Sequence, residues 1–173
     1  MTNAVIVNGL RTVKEIGIPF SVNNIMGFPH ETYDLAFDTV RLNREFNADD
    51  RNAYPFTPFN GTPLRDECEK LGFVKKGQTV KSLVPEGSSP DLNMPQFPAS
   101  QVQGLVKTFN MYVKFPESRW PEIRKAEPNT PEANRIYNNL KQEFIEEFWN
   151  VNDTSFEKSA ADGLSATDRT PSG

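Results

Sequence analysis

The chain has 173 residues, a net charge of −4 and a hydrophobic fraction of 36%, with a mean hydropathy of −0.59. That length allows one domain or one and a half, and the weak negative balance gives no reason to expect nucleic acid or an anionic membrane as partner. No apolar run approaches the roughly 20 residues that span a bilayer, and Met1 to Gly9 lacks the basic flank and apolar core of a signal peptide. The single cysteine, Cys68, excludes an internal disulfide and makes a cytoplasmic setting the expectation.

Thr2 to Ile16 has apolar residues near a 3.6-residue period (Val5, Ile6, Leu10, Val13, Ile16) and Gly17 as its stop, which predicts a helix. Ile18 to Met26 is a short β-prone run ending at Gly27-Phe28-Pro29. Thr32 to Phe46 predicts a second helix, with Leu35, Ala36, Thr39, Val40, Leu42 and Phe46 on one side. Asn52 to Phe59 is a second strand candidate, in which Pro55 and Pro58 remove ladder donors. Thr62-Pro63 opens a third helix that Gly72 ends. Helices and strands alternating over short connections point to βαβ units and a parallel sheet, and a sheet of two such strands calls for neighbours.

Residues 77–98 change character, with Pro85, Gly87, Ser88, Ser89, Pro90, Pro95 and Pro98 marking an irregular linker. Ser100 and Gln103 then have capping-box spacing before a helix with Val102, Leu105, Val106, Phe109 and Val113 on one face. Thr130-Pro131 opens a last helix with the stripe Ala133, Ile136, Tyr137, Leu140, Phe144 and Phe148. Residues 99–150 thus form a helical extension, and 151–173 have the polar composition of a disordered tail.

The chemistry-bearing stretch is Asn23 to Thr32. Ligands in parallel α/β folds sit at the carboxyl ends of strands, and here a strand ends in Gly-Phe-Pro before a helix. Alternation puts Asn23, Ile25 and Gly27 on one strand face and Asn24 and Met26 on the other. The first face offers an amide, a branched apolar group and a bare backbone, which suits a nucleobase. Glu31 is placed either to meet a ribose hydroxyl or simply to favour the helix N-terminus. His30, Cys68, the charged run Arg65 to Lys70 and the aromatic stripe Tyr137, Phe144, Phe148 and Trp149 read as surface or packing residues rather than site residues.

Ile25-Met26-Gly27-Phe28-Pro29-His30-Glu31-Thr32 resembles the I-x-G-[FL]-P-G-E-T signature at the fifth strand of radical S-adenosylmethionine (SAM) barrels. Tyr54-Pro55-Phe56-Thr57-Pro58-Phe59-Asn60-Gly61-Thr62-Pro63-Leu64 is similar to the sixth strand and its P-x-P-G-T-x-L turn. Leu35 to Thr39, Leu42-Asn43 and Val113-Lys114-Phe115-Pro116 resemble the cobalamin-binding branch of that family. The resemblance implies that residues 1–76 are the C-terminal part of an α/β barrel, a partial (β/α) barrel followed by the helical extension. It implies that Asn23, Ile25, Gly27, Phe56 and Phe59 take part in the adenine site of SAM, with Asn23 facing inward. His30 departs from the family's usual Gly, and Asn60 from a frequent Pro. The C-x-x-x-C-x-x-C loop that would hold a [4Fe-4S] cluster does not occur in the sequence, so the cluster and cobalamin are implied by the family alone, and the chain by itself is expected to be inactive. The expectation is a fragment of a radical SAM enzyme that needs the remainder of the barrel, in cis or in trans, and whose small-molecule substrate is not legible. The alternative is a non-catalytic module that docks onto a partner carrying the other strands.

Overall fold

The computed structural model describes residues 2–46, 48–78 and 90–149. They form a mixed α/β chain, mostly helical, with one two-stranded parallel sheet. In chain order the elements are α1 (Asn3–Glu15), β1 (Ser21–Met26), α2 (Tyr33–Phe46), β2 (Asp50–Pro55), α3 (Pro63–Lys70), α4 (Ala99–Lys114), a 3-10 turn (Glu117–Arg119), α5 (Trp120–Ala126), α6 (Pro131–Phe144) and a π-helical turn (Ile145–Trp149). The alternation expected through α3 is therefore present. β2 is shifted: it begins at Asp50 rather than Asn52 and stops at Pro55 rather than Phe59, because Pro55 and Pro58 interrupt the donors a longer ladder needs. Among the described residues no helix is long and apolar enough to cross a membrane.

The chain divides within α6, one compact unit running to Tyr137 and the next beginning at Asn138. In the first unit β1 and β2 run parallel with Asn23 opposite Asn52, Asn24 opposite Ala53 and Ile25 opposite Tyr54. The Asn24–Met26 face of β1 is buried and carries the helices. Asn24 and Asn43 of α2 exchange side-chain hydrogen bonds (2.8 and 3.3 Å), and Asn24 also donates to the Asn52 carbonyl at 3.0 Å. Buried amides need such partners, so this pair fixes α2 over the sheet. α1 lies beside α2 on that side, where Val7 packs with Phe46 and Ala48 against Leu10, Phe20, Val22 and Leu42. The buried stripe of α2 is Ala36, Phe37, Val40, Asn43 and Phe46; Leu35, expected on it, is exposed.

Residues 79–89 and 150–173 lie outside the described residues, and with them most of the expected linker and the expected tail. The rest of the linker is irregular but not loose: Leu92, Met94 and Phe97 are fully buried. α4 starts at Ala99 with Pro98 as its N-cap, so the Ser100–Gln103 capping box does not form. Instead Asn93 Oδ1 accepts from the Ala99 N–H at 3.0 Å. At the other end the Arg44 guanidinium donates to the Tyr112, Val113 and Phe115 carbonyls (2.7, 2.9 and 2.8 Å), closing α4 with a cation where the helix dipole favours one. The 3-10 turn and α5 have no counterpart in the sequence reading.

α4 and α5 meet where Gly104 touches Glu127. A Cβ built on Gly104 would lie 2.9 Å from both the Glu127 Cβ and its carbonyl oxygen, and the latter is backbone that cannot swing aside. Gly104→Ala is expected to destabilise by about 1–3 kcal/mol through overpacking, read as a clear fall in thermal midpoint. An unchanged midpoint would refute this account of the contact.

In the second unit, the Phe144 and Phe148 rings lie 5.2 Å apart at 54°, and Gln142 donates to Glu146 at 3.0 Å. Packing, as expected, is what this part of the stripe shows.

Candidate functional site

β1 leaves extended geometry at Met26. Gly27 has φ +88, in the region L side chains avoid. The peptide therefore turns out of the pleat, and alternation no longer says where residue 27 points. Gly27 is buried, and a Cβ on it would meet the Val102 methyls of α4 at 3.2 and 3.3 Å. It does not extend the face of Asn23 and Ile25. Its small size is needed for the approach of α4.

The turn is held by Glu31. One carboxylate oxygen accepts the Gly27 N–H and, at 3.2 Å, the Phe28 N–H. Burial pushes this carboxyl above the usual carboxylate range, with the two N–H donors pulling the other way. Between them His30 has φ +68, the one non-glycine residue with positive φ among those described. Its ring nitrogen meets Glu67 Oε1 of α3 at 2.8 Å, with both side chains well exposed. His30 is thus a surface residue, as expected. Thr32 caps α2 weakly, its hydroxyl accepting from Leu35 N–H at 3.4 Å.

Asn23 and Ile25 lie on the opposite face, which nothing among the described residues covers. Ile25 is 49% and its neighbour Tyr54 45% exposed. Asn52 donates to Asn23 Oδ1 at 3.3 Å across the ladder. The face is thus graded, with two amides toward the strand starts and an aliphatic and an aromatic side chain toward the carboxyl ends. Phe56 continues the ladder, its N–H donating to the Met26 carbonyl at 2.6 Å. Its ring is buried against Phe28, centroids 4.8 Å apart at 33°. Phe59 is half exposed. Of the five residues named from sequence, Asn23 and Ile25 share one open surface, Gly27 and Phe56 are packed beneath the turn, and Phe59 stands on the following loop.

The loop from Phe59 into α3 is built on a residue the sequence reading misassigned. Arg65 is not part of a solvated face: it is 2% exposed. Its guanidinium donates to Glu69 (2.8 Å) and to the carbonyls of Pro58, Lys75 and Gln78 (3.3, 3.2 and 2.7 Å). Thr62 caps the helix, its hydroxyl accepting from the Arg65 N–H at 3.3 Å. Cys68 is fully buried, as expected, and burial raises its thiol pKa.

Comparison with protein-family models, with curated proteins and with solved structures finds no match in any of the three.

Two groups escaped the sequence reading. Tyr54 sits inside a quoted motif, and only the strand register brings it beside Ile25. The other is a buried carboxylate, Glu127, whose Oε1 accepts from the Tyr33 and Tyr112 hydroxyls at 2.6 and 2.5 Å. Burial first, then the carboxylate, drives both phenol pKa values upward, so both hydroxyls remain donors at neutral pH. Arg124 closes the cluster with its guanidinium 3.8 Å from the Tyr33 ring centroid. This cluster ties the start of α2 to α4 and α5. With every oxygen and hydroxyl engaged, it reads as a lock. No sequence spacing announces it, because its members are far apart in the chain.

Among the described residues no three His, Cys, Asp or Glu side chains gather to hold a metal ion. The carboxyl half of the open face, Ile25 and Tyr54, carries no carboxylate, imidazole or amine.

Proposed function

We propose that this chain is the C-terminal piece of a radical SAM barrel and that the Asn23–Ile25–Tyr54 face is its share of the adenine site. The observation that carries the reading is that the face assigned to the adenine is the one the fold leaves uncovered, while the opposite face is closed by α1 and α2. Ile25 and Tyr54 would flank the ring, and the Asn23 and Asn52 amides would meet its polar edge. Phe56 supports the strand end from beneath through Phe28, and Phe59 borders it. The backbone adds support. Position 30, where the family signature has Gly, has φ +68, and Gly61, in the second motif, has φ +81. Histidine is among the few side chains that tolerate that region.

The residues do not fit an iron–sulfur cluster. Three thiolates are required, and this sequence has one cysteine, buried within the core. No step is routed through the cluster, and no residue is assigned to cobalamin. A full-length relative of the proposed kind would hold the cluster, the rest of the SAM site and any cobalamin on its own other residues, in a cytoplasmic setting, for radical chemistry such as methyl transfer. This chain contributes a wall of the site and no catalytic residue.

Calorimetric titration with SAM tests the reading, using the intact chain and Ile25→Asp. Ile25 is exposed, so the substitution spares the core. Weak saturable binding that falls by about tenfold or more in Ile25→Asp, a loss of about 1.4 kcal/mol, is expected. Equal binding by both proteins would overturn the assignment.

A second reading, a binding module that docks onto a partner carrying further strands, is favoured by the sheet having only two strands among the described residues. Parallel sheets are ordinarily buried on both faces and flanked by further strands.

A further inference from the structure

We infer that Tyr112 is a redox-active tyrosine: a one-electron oxidant that attacks the chain at Trp120 draws its electron from Tyr112, whose hydroxyl proton passes to Glu127. The inference is independent of the adenine reading and uses residues of α2, α4 and α5 to which that reading gives no role.

At neutral pH a tyrosine gives up an electron readily only if its hydroxyl proton can leave as well. Oxidation therefore settles on a phenol that has a base within hydrogen-bond reach. The chain has four tyrosines. The Tyr33 and Tyr112 hydroxyls both donate to Glu127 Oε1, at 2.6 and 2.5 Å. Tyr54 is the exposed one, and its hydroxyl makes no hydrogen bond among the described residues.

Charges over the rings separate the others. A cation held over an aromatic face is attracted by the neutral ring and opposes a positive hole on it. The Arg124 guanidinium lies 3.8 Å from the Tyr33 centroid, and the Lys107 ammonium 5.0 Å from that of Tyr137. Among the described residues no cation stacks on Tyr112. It alone combines a carboxylate acceptor with a ring that no cation covers.

Tyr112 is 1% exposed, too deep for an oxidant to touch. Trp120 is the way in. It is half-buried, its indole N–H donates to the Tyr112 carbonyl at 3.2 Å, and the two ring centroids are 6.1 Å apart. The Arg44 guanidinium, 5.5 Å from the Trp120 ring, disfavours a hole that stays there. The oxidant gains one electron, by way of Trp120. The Tyr112 O–H bond breaks and leaves a neutral phenoxyl radical. An O–H bond forms on Glu127 Oε1, so the carboxylate becomes a carboxylic acid. The buried cluster loses one negative charge and acquires no new ion, which suits a site shielded from water.

Flash photolysis of the intact chain with tris(bipyridine)ruthenium(II) and a cobalt(III) ammine acceptor tests this, the trivalent ruthenium being the oxidant. Electron paramagnetic resonance of the frozen sample is expected to show a tyrosyl signal, unchanged in Tyr54→Phe and Tyr33→Phe. Tyr112→Phe should lower it by about tenfold or more. Glu127→Gln keeps an oxygen that accepts both hydroxyls but takes up no proton, and should lower it as far. Tyr33→Phe and Tyr112→Phe each remove one donor to the same oxygen, so a merely structural effect would move both alike. A signal that follows Tyr54 or Tyr33, one that survives Glu127→Gln at full strength, or no tyrosyl signal at all would overturn the assignment. Should Tyr112→Phe fail to fold, Glu127→Gln and Tyr54→Phe decide the matter.

Discussion

Glu127→Ala is expected to lower the stability of the first unit by roughly 3–5 kcal/mol. The truncation leaves the Tyr33 and Tyr112 hydroxyls without their acceptor, at about 1–3 kcal/mol for each buried group left unsatisfied, and opens a void besides. Glu127→Gln provides the control. It keeps a carbonyl oxygen where Oε1 accepts both hydroxyls and loses only the charge facing Arg124, whose side chain is 55% exposed at 3.7 Å. A loss of about 1 kcal/mol or less is expected there. Urea denaturation of both proteins checks the pair; equal destabilisation would mean that charge rather than hydrogen bonding holds the cluster.

Gly27→Val is expected to destabilise by roughly 3 kcal/mol, and for a reason unrelated to any ligand. A β-branched residue at φ +88 is strained, at about 1–2 kcal/mol, and its Cβ would press on the Val102 methyls at 3.2 and 3.3 Å. The two contributions separate in a double-mutant cycle with Val102→Ala. Removing the methyls should recover the steric part and leave the backbone part. If Val102→Ala restores nothing, the contact with α4 is not what keeps position 27 small. For the functional question, Gly27 is a poor probe: a valine there damages the turn whether or not adenine binds nearby. Ile25 is the residue to change.

Much of the fold was legible because its signals are local. Gly17 and Gly72 follow the helices they were expected to end, Thr62-Pro63 opens α3 with the hydroxyl cap in place, and the short connections gave parallel pairing of β1 and β2. Errors arose where a local pattern was read past its domain. Alternation was carried one residue beyond the strand, which put Gly27 on the wrong face. Ser100 and Gln103 have capping-box spacing, but Asn93 and Pro98 start α4 earlier. Arg65 looked like one charge in a solvated run, and only the loop carbonyls of Pro58, Lys75 and Gln78 folding back over it show why it is buried. The Glu127 cluster and the Asn24–Asn43 pair were out of reach, since each joins residues distant in sequence. For the site, residue types pointed to a face, and Asn23 and Ile25 lie on it; Tyr54 entered only through register.

The central claim is that the Asn23–Ile25–Tyr54 face receives an adenine. It is tested most directly by titrating the isotopically labelled chain with adenosine and following backbone amide shifts. The account expects saturable shifts at Asn23, Ile25, Asn52 and Tyr54, reduced in Ile25→Asp, with the α1–α2 side of the sheet unmoved. Shifts confined to other surfaces, or none at millimolar adenosine, would contradict it.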